Sequence, residues 1–445
     1  MANIALYNVG GGGVQLVKGP LHLADNELSL AQNMEIVSNQ NTGGEGVLSK
    51  RGGLAVVNSS ALAGSVTGII GVNLLSTYTR TMLIGKGTED STTWVTTTDG
   101  TTLVNTSTPT AAANFDKYAD ENNERSARRA CAFRNFVLYA GNSYTQDTDR
   151  PNIVLWDGTA SQEVTEIITG PSSNGSVPYA ITDMLTANGK IYFAVHDPDG
   201  GNPNNAGRVM SLDLETGAVT QIAAPFGDGT GEETGGAPSC LAWHLGQLFV
   251  GLNGEDTTNG IGKIVRCRPD IDTTWTDDVT NLAGYPCSMT VFSVDGNLYV
   301  GCMSSTSTGA RIVKRTASTG AYTTQVTSSG GAGAEGHYAS LVEYDDYLFA
   351  VEYHETTPII HIVNSVDGTT WATSRDVDAS DSGVAGLFPG NGITFSDDLF
   401  YVFRSSTVSA NDGFLMRLTG GNAGTWSKVA TDNYSGPLAV LVQRT

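Results

Sequence analysis

One short apolar strand recurs seven times along this chain of 445 residues, and its spacing limits the possible folds more than any other feature. The copies read Met82-Leu-Ile-Gly85, Val137-Leu-Tyr-Ala140, Ile191-Tyr-Phe-Ala194, Leu248-Phe-Val-Gly251, Leu298-Tyr-Val-Gly301, Leu348-Phe-Ala-Val351 and Leu399-Phe-Tyr-Val402. Successive copies end 50 to 57 residues apart. A blade of four strands needs roughly 40 to 50 residues, so the period suits a β-propeller.

Each copy reads as the second strand of a hairpin. Turns such as Asn188-Gly189, Asp295-Gly296, Asp345-Asp346 and Ser396-Asp397 precede it, with first strands at 288–294, 339–344 and 392–395. These residue types accept the positive φ of tight hairpin turns. The repeated strand is apolar on both faces, as a strand sandwiched between neighbouring blades must be. A second hairpin follows, turning at Asp99-Gly100, Asp157-Gly158, Thr216-Gly217, Thr319-Gly320, Asp367-Gly368 and Gly420-Gly421. Trp94, Trp275, Trp371 and Trp426 lie near several of these turns and are expected to cap edges between blades. The expected architecture is all-β: a β-propeller of seven four-stranded blades (eight the alternative) over 61–445, behind an extended N-terminal arm over 1–60. The stretch 436–443 reads as a first strand without a following partner. It is expected to pair with 54–58 or 65–72 and so tie the chain ends together.

Composition narrows the function. With 45 acidic and 24 basic residues the net charge is −21, which disfavours nucleic acid and anionic membranes as partners. The start carries no basic, apolar leader, and no run is long enough to span a bilayer. Cys131, Cys240, Cys267, Cys287 and Cys302 show no metal-ligand spacing and read as reduced thiols of a protein folded in a cytoplasm.

The arm departs from the repeat. Asp25 can cap a turn of helix over 27–32, and a hairpin is expected with 33–37 and 46–50 flanking 39–44. Leu23, Asp25, Glu27, Asn33, Gly43, Gly44, Lys50, Arg51 and Gly53 form a pattern that resembles the start of propeller-type structural proteins of tailed bacteriophages, tail-nozzle proteins among them, with Gly52 where that family usually has Pro. The resemblance implies a virion location after folding in the host cytoplasm, and other virion proteins as partners in a symmetric assembly of many copies. Leu21, Leu23, Leu28 and Leu30 lie in a stretch too short to form its own core and are expected to pack on a neighbour. Arg125, Arg128 and Arg129 form a candidate docking patch for an acidic neighbour.

Signs of catalysis are few. Ser365-Val-Asp367-Gly368-Thr-Thr-Trp371 resembles the Asp-box of sialidases, shortened by one residue, and is expected to be a structural turn. No arginine cluster of the sialidase kind, P-loop, nucleophile elbow, Rossmann fingerprint or HExxH is present. His22, His196, His244, His337, His354 and His361 show no metal spacing. Asp197, Asp199 and Asn202 are the weak candidate for calcium, without the terminal Glu of an EF-hand loop. The sequence therefore leads to a non-enzymatic scaffold of a tailed-phage particle (tail, neck or head–tail region) that needs no cofactor. The alternative is a carbohydrate-binding or glycoside-active propeller, suggested by the Asp-box-like turn.

Overall fold

The structure is a computed structural model that describes residues 34–38, 46–50, 78–88, 91–105, 130–133, 136–142, 151–156, 161–164, 180–196, 207–213, 216–223, 226, 237–253, 262–282, 284–304, 309–328, 336–354, 359–377, 387–405, 413–431 and 434–444. Every regular element among them is a β-strand. The chain divides into two compact units, 1–77 with 186–190, and 78–185 with 191–445. In the first, Met34–Ser38 pairs with Gly46–Lys50, the hairpin expected within one residue. The expected helix over 27–32, the strand over 54–58, and Leu21, Leu23, Leu28 and Leu30 lie outside the described residues.

The second unit repeats one motif. Four antiparallel strands in sequence order form sheets over 130–164, 180–222, 237–279 and 387–431. The strands of 285–327 and 336–377 follow the same order and join into one eight-stranded sheet where Met303 lies opposite His337. A further sheet combines both ends of this unit: Tyr434–Arg444 pairs with Tyr78–Thr88, followed by Ser91–Thr97 and Val104–Asn105. The chain-end pairing thus exists, but the partner differs from the expected one. Met82 lies opposite Val440 and Ile84 opposite Leu438, so the first repeated strand itself receives the C-terminal strand. The reason is completeness: the C-terminal strand fills the first-strand place of this sheet, beside Tyr78–Thr88.

The repeated strands form the core. In Tyr347–His354, Phe349 and Val351 pack in one cluster with Tyr401, Phe403 and Met416 of the following sheet. Leu348 and Ala350 pack in another with Phe292, Tyr299 and Ile312 of the preceding one. Burial on both faces explains why these strands lack alternation. Trp426 donates its Nε1–H to Ser374 Oγ at 3.0 Å across a sheet junction.

The first strands of successive sheets are linked by a second repeat that is hidden in the sequence. Thr182 Oγ1 donates to Pro238 O at 2.7 Å, Ser239 Oγ to Pro286 O at 2.6 Å and Cys287 Sγ to Tyr338 O at 3.1 Å. One residue on, Asp183 accepts from Leu241 N–H, Ser288 from Leu341 N–H and Ser340 from Gly392 N–H. A β-bulge at this level of three first strands turns both residues toward the next sheet. Cys287 is therefore a hydrogen-bonding thiol at a position that Thr or Ser fills elsewhere. The five cysteines, all among the described residues, form no disulfide.

Candidate functional site

A cluster of ionisable side chains with catalytic potential lies in the 336–377 sheet. Its strands are Gly336–Tyr344, Tyr347–His354, Ile359–Ser365 and Ala372–Val377. Their register sets Tyr338 opposite Glu352, Glu352 opposite His361, and His361 opposite Asp376. Residues directly opposite in a sheet share a face, so these four form one polar row from the first strand to the last. His354, two residues beyond Glu352, joins the same face.

Two imidazole–carboxylate pairs result. His354 Nε2 lies 2.9 Å from Glu352 Oε1, and His361 Nδ1 lies 2.6 Å from Asp376 Oδ1. The two rings meet edge-on with centroids 6.3 Å apart. Burial, then the adjacent Glu352 carboxylate, pushes the Tyr338 hydroxyl well above the usual tyrosine range, so it stays protonated and donates to Glu352. Tyr338, Glu352 and His354 are buried, His361 is partly exposed and Asp376 is open to water. The row thus offers donors and acceptors graded from a dry end to a wet one, suited to proton transfer or to hydroxyl-rich ligands. No group of three or more His, Cys, Asp or Glu able to hold a metal occurs among the described residues. His337 lies on the opposite face, its ring 4.8 Å from that of Tyr353.

The Asp-box-like turn lies at the other end of this sheet. Asp367 Oδ1 accepts from Thr370 N–H at 2.7 Å and Thr369 N–H at 2.8 Å, and Ser365 Oγ donates to it as well. The bonds from Thr370 and Thr369 hold its carboxyl well below the usual range. Trp371 Nε1–H closes back onto Gly368 O at 3.3 Å. A Cβ on Gly368, where φ is +67°, would sit 1.8 Å from the Tyr299 hydroxyl, so the turn seats directly on the preceding sheet. Residues 97–102 build the same turn around Asp99, with Gly100 seated on Phe400. Phe400 and Tyr299 occupy the same position in their copies of the repeated strand.

Asp197, Asp199 and Asn202, and Arg125, Arg128 and Arg129, lie outside the described residues. Sequence reading missed the histidine row because His354 and His361 belong to different strands. The available signal was the Glu352-x-His354 alternation, combined with the register that the Asp345-Asp346 turn imposes on the hairpin.

No family model matches this chain, and no curated protein matches it either. Solved structures do. A protein from Lactobacillus plantarum is similar over 82% of this chain and 100% of its own, at 13% identity and a TM-score of 0.53. A xyloglucanase of glycoside hydrolase family 74 from Xanthomonas campestris is similar over 80% of this chain and 54% of its own, at 12% identity and a TM-score of 0.47. An ulvan lyase of polysaccharide lyase family 25 is similar over 56% and 70%, at 11% identity and a TM-score of 0.38. Identities this low speak for the fold, which is all-β and propeller-like. One expectation is corrected: two of these matches are enzymes by name, and motifs missing from a sequence do not exclude an activity on a fold that hosts many, so the expectation of a non-enzyme is withdrawn.

Proposed function

We propose that this chain is a structural and interaction component of a tailed-bacteriophage particle, in its tail, neck or head–tail region. On this reading 61–445 holds a propeller of seven four-stranded blades, closed by Tyr434–Arg444 on Tyr78–Thr88, and the arm precedes it in sequence. The supporting observation is the arm hairpin, Met34–Ser38 with Gly46–Lys50, which falls within the stretch that carries the phage resemblance. The partners are other virion proteins in a symmetric assembly of many copies, and the protein works in the virion after folding in the host cytoplasm. Labelling purified particles with an antibody to 78–445 tests this directly. Deletion of 1–30 is expected to leave a folded chain that no longer enters particles. Absence of the protein from purified particles, or normal incorporation of the truncated chain, would overturn the reading or its use of the arm, respectively.

The polar row favours a second reading, a carbohydrate-binding or glycoside-active propeller. Glu352 and His354 would supply the proton-transferring pair, and His361 with Asp376 the contacts to sugar hydroxyls. Release of reducing ends from a panel of polysaccharides, abolished by Glu352→Gln, is the expected outcome on that reading. An inactive chain that also fails to bind a glycan array would remove it.

A further inference from the structure

The turns between first and second strands, and between third and fourth, lie at one end of each sheet because successive strands run antiparallel. Neighbouring sheets present these turns together. His244 Nε2–H donates to Gly296 O at 2.9 Å, Ser293 N–H to the Glu343 carboxylate at 2.9 Å, Tyr344 O–H to Asp397 O at 2.8 Å, and Asn422 N–H to Asp345 Oδ2 at 3.0 Å. From residue 237 to 431 the short-turn ends therefore make one continuous, cross-linked surface.

That surface holds most of the exposed large apolar side chains among the described residues. Leu245 is 62% exposed, Ile271 68%, Val294 52% and Val366 50%, all on these turns. Leu245 is the informative one. The equivalent first turn residues elsewhere are Asn188, Asp345 and Ser396, with φ of +48°, +50° and +49°, types that tolerate or favour the left-handed region. Leu245 adopts φ +50° at that position although a bulky side chain there is strained by about 1–2 kcal/mol. Exposure means that the side chain returns little of this through packing within the chain. Strain kept at an exposed apolar residue points to a use outside the fold.

Carboxylates share this end with the apolar tips, on the sheets of 336–377 and 387–431, while Arg268 beside Ile271 is paired with Asp272. Glu343, Asp345, Asp346 and Asp397, with Tyr344, Phe395 and Arg80, line a cavity of about 980 Å³ at this end. A second copy of the chain would bring like charge against like, at −21 per chain. We infer that the short-turn end docks a partner protein whose surface is basic around an apolar centre, with Leu245 as the anchor. The inference stands on these turns and not on the particle assignment.

The test uses the full chain and a short synthetic peptide of alternating Lys and Leu as the probe, with oligolysine and a Glu/Leu peptide as controls. The Lys/Leu peptide is expected to bind in a salt-dependent way and to cross-link to turns 245–246, 268–272, 293–296 and 345–346. Leu245→Asn is expected to weaken binding about tenfold, a typical anchor effect, while raising the melting temperature. Asp346→Asn with Asp397→Asn should flatten the salt dependence without moving the cross-links. Three results would overturn the inference: cross-links that map elsewhere, equal binding by oligolysine, or Leu245→Asn that binds as the parent does. Self-association through these turns, abolished by Leu245→Asn, would do so too.

Discussion

Successive sheets of this protein meet in two chemically different ways. Where 237–279 meets 285–327, an ion cluster joins the apolar contact of Phe249 and Ile264 with Leu298 and Val300. Asp278 receives Arg266 Nε at 2.6 Å, Arg315 Nε at 2.5 Å and the Tyr322 hydroxyl at 2.7 Å, and the Arg315 guanidinium lies 4.9 Å from the centre of the Phe249 ring. Where 336–377 meets 387–431, rings close the junction. Tyr401 and Phe403 lie 6.5 Å apart, Phe403 and Phe414 5.0 Å, and Phe349 and Trp426 6.4 Å. The same backbone unit is thus repeated with interchangeable side-chain cement. The backbone repeat sets where sheets touch, and each junction has to fill the same gap.

The comparison breaks most readily at Asp278. Asp278→Ala leaves the buried Arg315 without its carboxylate, beside the partly exposed Arg266, and should destabilise the chain by about 3 kcal/mol in denaturant unfolding. Phe403→Leu at the aromatic junction should cost about 1–2 kcal/mol, because packing rather than charge is lost. Equal effects would remove the distinction.

Gly368→Ala tests how turns seat on neighbouring sheets. It adds a clash with Tyr299 to an unfavourable left-handed conformation, and should cost about 2 kcal/mol or more. Gly217→Ala, at φ +70° with open space around it, should cost about 1 kcal/mol, from conformation alone.

Acid separates the junctions further. Burial alone would raise the Asp278 pKa, but hydrogen bonds from Arg315 and Tyr322 override it and hold the carboxyl below its ordinary value of 3.8. A carboxylate with a lowered folded pKa contributes stability above the unfolded value and loses it as pH falls through the folded one. Melting temperature should therefore fall below about pH 4, and more steeply in the parent chain than in Asp278→Asn. The smallest effect is expected for Tyr322→Phe, about 1 kcal/mol, the loss of one hydrogen bond to a carboxylate that keeps two cationic partners.

Much of the fold was legible in the chain because hairpins are local. The Asp345-Asp346 and Ser396-Asp397 turns fall where residue type and alternation place them, with φ between +49° and +64°. The arm hairpin is likewise found within one residue. The candidate site was far less legible. Tyr338, Glu352, His361 and Asp376 are spread over 39 positions and come together only through the register of three strand pairs.

What the sequence by itself determined is the unit: an apolar strand after a tight turn, repeated seven times, with no polar residue to mark an outer face. What only the tertiary structure decided is how units meet. The pairing of Tyr434–Arg444 with Tyr78–Thr88 spans nearly the whole chain, and no local rule selects among several unpaired apolar strands. The link from Ser239 to Pro286 O, and its thiol counterpart from Cys287 to Tyr338 O, requires a bulge that turns a small polar side chain toward the next sheet. Residue type alone gives no sign of that geometry, because Thr, Ser and Cys all donate in it, and Asp or Ser accepts in the link one residue on.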